Sequence, residues 1–140
     1  MKIKEIMTKD VKYIEPNLTI KEAAKIMKDK DVGALPVGEN DKLTGVITDR
    51  DITIRAIANG SDPQTTTVKE AMTPNCLYCF EEDSIEDTAK NMAENQVRRL
   101  PVMNKDKRLV GIVALADLCT KGSKQSAGEA LQGISQKGKR

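Results

Sequence analysis

Between residues 20 and 27 the side chains Ile20, Ala23, Ala24 and Met27 take the i, i+3, i+4, i+7 spacing of one mostly apolar helix face. Ile85, Thr88, Ala89 and Met92 repeat that spacing further along. Each stripe opens on a hydroxyl residue with a carboxylate three positions later, Thr19-x-x-Glu22 and Ser84-x-x-Asp87. In such a pattern the side-chain oxygen accepts a free N–H of the first turn, so helices are predicted to start there. Downstream the period shortens. Ala34-Leu35-Pro36-Val37 and Leu43-Thr44-Gly45-Val46-Ile47-Thr48 are β-rich runs joined by the polar turn Glu39-Asn40-Asp41-Lys42, which predicts a hairpin. A short extended stretch (Val11 to Ile14; Cys76 to Phe80) is expected before each first helix. A second helix, Asp51 to Asn59, is expected to stop at Gly60, and its counterpart to run from about Leu115 to Gly122.

The elements recur because the sequence does. Ile3-Lys4-Glu5-Ile6-Met7-Thr8 returns as Val68-Lys69-Glu70-Ala71-Met72-Thr73, and fifteen of the forty positions from Ile3 to Lys42 are identical in that register. Leu35-Pro36-Val37 falls on Leu100-Pro101-Val102 and, after one inserted residue, Gly45 falls on Gly111 and Asp51 on Asp117. The fold class expected is α+β, mixed α/β, with two tandem β-α-β-β-α units at residues 1–66 and 67–122 and a basic tail at 123–140. Units of about 60 residues bury too little surface alone, so the pair is expected to pack with pseudo-twofold symmetry. The tail, rich in Lys, Ser, Gln and Gly, is expected to be weakly ordered, with Ala130, Leu131 and Ile134 offering at most a short helical face. Ile52, Ile54, Ala56, Ile57 and Ala58 are apolar on more than one side of their helix, which points to a homodimer contact as well as a sheet contact.

Composition narrows the chemistry. Of 140 residues 39% are apolar and 31% charged, with a net charge of +2 and only Tyr13, Tyr78 and Phe80 as aromatics, so the core must be aliphatic. No apolar run approaches the roughly 18 residues of a membrane span, and Met1-Lys2-Ile3-Lys4 does not open a signal peptide, so a cytoplasmic location and no membrane partner are expected. Histidine is absent, which removes the commonest general base, the usual triads and the usual zinc ligand. No catalytic residue and no metal ligand is therefore assigned, and the protein is read as not an enzyme. Three aromatics make no stacking platform, so nucleic acid is not expected as a partner, and the basic tail reads as a solvated end. Cys76-x-x-Cys79 superimposes on Val11 and Ile14 through the repeat, so both thiols read as core residues.

The paired Met-Thr openings, the Leu-Pro-Val segments and Gly45-Val46-Ile47-Thr48-Asp49-Arg50-Asp51-Ile52 resemble the CBS-domain family in its tandem form, the Bateman module, over Ile3 to Gly122. The ending from Ser126 to Ser135 is similar to that of small stand-alone bacterial pairs. The resemblance implies a regulatory sensor that holds an adenine nucleotide of the AMP, ADP or ATP type between its units, needs no cofactor, dimerises and is read by an effector protein. In the family's Gly-x-x-Thr/Ser-x-x-Asp pattern the Asp accepts from ribose hydroxyls and the hydroxyl reaches a phosphate. Gly45, Thr48 and Asp51 match it, whereas Gly111, Ala114 and Asp117 keep the carboxylate without the hydroxyl. Arg98 and Arg99 precede Leu100-Pro101, where relatives often direct an Arg at phosphate. The expectation is one composite site, with Thr48 and Asp51 on the ribose and Arg99, with Arg98, on phosphate, and a weaker or empty site near Asp117. Two plainer roles stay open: Asp51 as a helix cap, and the arginines as solvated charges. A ligand-free protein-interaction or dimerisation module is the alternative function, and Ala114 favours it.

Overall fold

The structure, a computed structural model, describes residues 1–40, 42–74 and 77–136. Along the chain run β1 (Thr8–Lys9), α1 (Ile20–Lys30), β2 (Ala34–Glu39), β3 (Lys42–Thr48), a helical segment (Asp51–Asn59), α2 (Val68–Ala71), β4 (Thr73–Pro74), β5 (Cys79–Phe80), α3 (Ile85–Asn95), β6 (Arg99–Met103), β7 (Leu109–Ala114), α4 (Leu115–Lys121) and α5 (Lys124–Ile134). The fold is mixed α/β, as the hydrophobic pattern requires.

The helix starts form as the capping residues dictate. Thr19 Oγ1 accepts the Glu22 N–H at 3.2 Å and Ser84 Oγ accepts that of Asp87 at 3.0 Å. α1 buries Ile20, Ala23 and Met27, while α3 buries Ile85, Thr88, Ala89 and Met92. Ala24 is exposed although its counterpart Ala89 is buried, because α5 covers α3 and no equivalent helix lies on α1. The hairpins form in matching register, β2 on β3 from Ala34–Thr48 to Glu39–Lys42 and β6 on β7 from Arg99–Ala114 to Met103–Leu109. Of the expected extended stretches, Cys79–Phe80 pairs in parallel with Val102–Met103, whereas the first makes a single bridge, Ile14 to Val37. Asp41 and Cys76 lie outside the described residues.

Packing groups the chain into two compact units, residues 12–76 and residues 1–11 with 77–140. The sequence duplication has its boundary near residue 66, yet each compact unit takes in the opening segment of the other repeat. β4, from the start of the second repeat, joins the sheet β2-β3-β4, and β1, from the start of the first, joins β1-β7-β6-β5. Glycine permits this. A Cβ on Gly45 would sit 2.7 Å from the Thr73 carbonyl oxygen and 2.8 Å from Met72 Sδ, and one on Gly111 would sit 2.5 Å from the Thr8 carbonyl oxygen and 2.8 Å from Met7 Sδ. The cores follow suit: Val68, Ala71 and Met72 pack with Ile20, Leu35 and Ile47, and Ile3 and Ile6 pack with Ile85, Leu100 and Val113.

Two elements depart from expectation. Asp51–Asn59 is a π-helical stretch to Ala56 followed by a 3₁₀ turn, ending at Gly60 in the left-handed conformation at φ 79°. The run Ile52-Thr53-Ile54 is β-branched throughout, which crowds an α-helical turn, and the Ile57 N–H bonds the Ile52 carbonyl five residues back. The tail forms a helix of eleven residues, α5, where at most a short helical face was expected. Ser123 Oγ accepts the Ser126 N–H, and Ala127, Ala130 and Ile134 are buried against α3. Sequence counting gave this helix three apolar residues; small residues on both faces let it approach α3 closely enough to need no more. Gln96, buried at the end of α3, donates its amide to the carbonyls of Gly133 (3.2 Å), Ile134 (3.3 Å) and Gln136 (2.7 Å), closing the far end of α5.

Candidate ligand site

In the unit of residues 12–76, β3 runs into the helical segment through a reciprocal pair of bonds. Asp51 Oδ2 accepts the Thr48 N–H at 2.9 Å, and Thr48 Oγ1 accepts the Asp51 N–H at 3.0 Å. This is a capping box, so the plainer role left open for Asp51 is present. Capping uses one carboxylate oxygen, and both side chains are only half-buried, which leaves acceptor capacity at the turn. The Asp49 N–H bonds the Gly33 carbonyl at 2.9 Å, fixing the turn beside the start of β2. Gly45 is buried beneath Met72 and Thr73, where its missing side chain admits β4.

The other unit builds the same turn with different chemistry. Asp117 Oδ2 accepts the Ala114 N–H at 2.9 Å, but Ala114 returns no hydroxyl. Asp117 Oδ1 lies 3.7 Å from Lys121 Nζ, one helical turn on. The Leu115 N–H bonds the Arg98 carbonyl at 2.8 Å, which holds Arg98 and Arg99 beside the start of α4. The register then places Arg99 opposite Ala114, as it places Ala34 opposite Thr48. Cross-strand partners project to one face, so where this repeat lacks the hydroxyl Arg99 stands across from it.

Arg98 and Arg99 line a cavity of about 450 Å³ with Ala114, Leu115, Ala116, Cys119 and, from the tail helix, Lys124, Ala127, Gly128 and Leu131. The volume falls in the range of roughly 300–1,000 Å³ typical of small-molecule sites. Its walls are apolar and its charges are all positive. Sequence reading missed Lys124, Gly128 and Leu131. Their signal was the i, i+4, i+7 spacing along the tail, obscured because glycine and lysine do not read as a buried face. Thr48, Asp51 and Gly45 belong to one compact unit, and Arg98, Arg99 and Asp117 to the other. Asp117 is not among the lining residues.

The remaining candidates are quieter. Cys79 is buried in the core, and burial, with the charge of Asp83 adding to it, pushes its thiol up to about 12 against a hydrogen bond with Thr88. Cys119 is exposed. Among the described residues no group of carboxylate and thiol side chains is arranged to hold a metal ion, and no helix is long and apolar enough to cross a membrane.

A duplicated strand–helix–hairpin–helix unit with matching turns defines a paired α/β repeat module. The chain belongs to the CBS domain family, whose model matches residues 3–56 and again residues 68–124. It is 46% identical over 134 residues to a CBS domain-containing protein, YhcV, of Bacillus subtilis, covering 95% of this chain and 94% of that one. Among solved structures it is similar to a conserved CBS domain protein of unknown function, TA0289, from Thermoplasma acidophilum, with a TM-score of 0.85 and 27% identity over 95% of this chain and 75% of that one. It is also similar to the CBS domain pair of protein MJ0100, solved in complex with 5'-methylthioadenosine and S-adenosyl-L-methionine, with a TM-score of 0.77 and 31% identity over 84% of this chain and 92% of that one.

Proposed function

We propose that this CBS pair is a cytoplasmic regulatory module that binds an adenine nucleotide of the AMP, ADP or ATP type without transforming it, and that an effector protein reads the bound state. The observation that carries this reading is the 450 Å³ cavity whose apolar walls are ringed by Arg98, Arg99 and Lys124. An aromatic base suits such walls and a phosphate suits such charges, since guanidinium and ammonium groups make charge-assisted hydrogen bonds to phosphate. The adenosine-bearing compounds seen on a similar CBS pair favour the same class of ligand. Thr48 with Asp51 in the other unit, and Asp117 in this one, are candidate ribose contacts at their own turns, and Asp51 and Asp117 each keep carboxylate capacity beyond the capping bond. Regulation in such a module rests on differential affinity of the ligand for two conformations.

A panel of AMP, ADP, ATP and adenosine in a thermal-shift assay tests the reading. A ligand at about 100 times its dissociation constant adds roughly 2.7 kcal/mol of stability to the native state. The midpoint should rise with at least one nucleotide, and Arg99→Ala should diminish that rise. A flat panel rejects nucleotide binding and leaves the second reading, a ligand-free homodimerising or protein-interaction module. Ile54 and Ile57, each 49% exposed on the helical segment, favour that second reading.

A further inference from the structure

We infer that α5 is a wall of the nucleotide pocket, with Lys124 a third phosphate ligand beside Arg98 and Arg99, so that the tail is part of the sensor and not an appendage to it. This rests on the adenine-nucleotide reading above and assigns the ligand to the cavity in the unit of residues 1–11 and 77–140.

α5 carries two faces with different work. Ala127, Ala130 and Ile134 pack on the core beneath it. Lys124, Gly128 and Leu131, spaced i, i+4, i+7, line the cavity, and Ala127 borders both faces. The first cation of that face joins the two guanidinium-bearing residues, and among the described residues no carboxylate pairs with Arg98, Arg99 or Lys124. Three like charges around one concavity repel one another, and an anion with several acceptor oxygens relieves that repulsion.

The glycines of α5 add a separate observation. A helix-interior glycine lowers stability by about 1 kcal/mol relative to alanine, so each invites a structural reason. Gly133 has one: a Cβ there would lie 2.4 Å from Ala93 Cβ, so the close approach of α5 to α3 requires its absence. Gly128 has no such reason, because a Cβ built on it meets nothing within 4 Å. A side chain at 128 would occupy the cavity, and glycine keeps that volume open. Among the described residues the other compact unit has no counterpart of α5, and it has the Thr48 hydroxyl where the second repeat has Ala114. The absent hydroxyl, the arginines and the extra helix thus fall on the same side of the duplication.

The test is calorimetric titration of the full chain with AMP, ATP and adenosine, repeated on Lys124→Ala and Gly128→Leu. Lys124→Ala, at an exposed position, should weaken AMP and ATP by about tenfold and narrow their preference over adenosine. Gly128→Leu should abolish binding of all three while its unliganded thermal midpoint stays level or rises, as expected for leucine replacing an unpacked helical glycine. Retained midpoint with lost binding separates pocket filling from misfolding. If nucleotides bind the parent chain and both variants titrate like it, α5 is no part of the site and the inference falls, while the nucleotide reading stands. If the parent chain binds no nucleotide, both fall.

Discussion

Asp51 and Asp117 occupy equivalent turns, yet only one meets a reciprocating hydroxyl. The capping box predicts that Thr48→Ala lowers stability by about 1 kcal/mol, measured by urea unfolding, and that Ala114→Thr raises it by a smaller amount by supplying the missing acceptor. Asp51→Asn keeps a good capping side chain, so it should disturb stability less than Asp51→Ala. Cys79 gives a pH signature. Its folded-state thiol, pushed up to about 12 by burial, keeps a proton that an unfolded thiol releases near pH 8.5–9. From about pH 9 upward the unfolded chain therefore binds fewer protons than the folded one, and stability falls as pH rises. Below pH 8.5 the thiol contributes no slope. Urea midpoints taken between pH 8 and 11 should fall more steeply for the parent chain than for Cys79→Ala. For the same reason a thiol reagent at pH 8 should modify exposed Cys119 and leave Cys79 intact, as read by mass spectrometry of the peptides.

At the scale of elements, the sequence was legible where local chemistry decides. The starts of α1 and α3 could be read from Thr19 and Ser84, and both hairpins from alternation and turn residues. Illegible were features in which a distant partner decides. Nothing in Thr73-Pro74 says which of two similar strands it will join, since β3 and β7 offer related edges; only Gly45 against Met72 hints at the pairing. The π-helical stretch at Ile52-Thr53-Ile54 was masked by an apolar pattern that suits an α-helix equally well. For candidate ligand contacts, the motif points to Thr48 and Asp51 in one unit and to the arginines in the other, but not to Lys124, because its place on the cavity depends on α5 docking. Gln96 holds the far end of that docked helix. Gln96→Ala removes an amide bonded to three carbonyls and should cost about 1–3 kcal/mol. Gln96→Gly, which accepts the left-handed φ of 54° without strain, separates amide loss from backbone strain. In hydrogen-exchange mass spectrometry both variants should show faster exchange across residues 124–134, with α1 unchanged.

On the scale of the whole molecule, sequence repeat and compact unit are offset by one opening segment. A fragment cut at the duplication boundary, residues 1–66, lacks Val68, Ala71, Met72 and β4, all of which complete the core and sheet of its body. A fragment of residues 12–76 contains them. The second should therefore show more cooperative thermal unfolding by circular dichroism than the first, despite near-equal length. Equal melting of the two would mean that β4 and α2 add nothing to that unit's stability.

The offset also bears on ancestry. A single-repeat forebear with this geometry would have had an arm and a body that did not belong together, and so would have needed a sister copy to lend it an arm. Tandem fusion would turn that loan between molecules into one within a chain and leave the two halves free to differ, as they do here: one has the hydroxyl, the other the arginines and an extra helix.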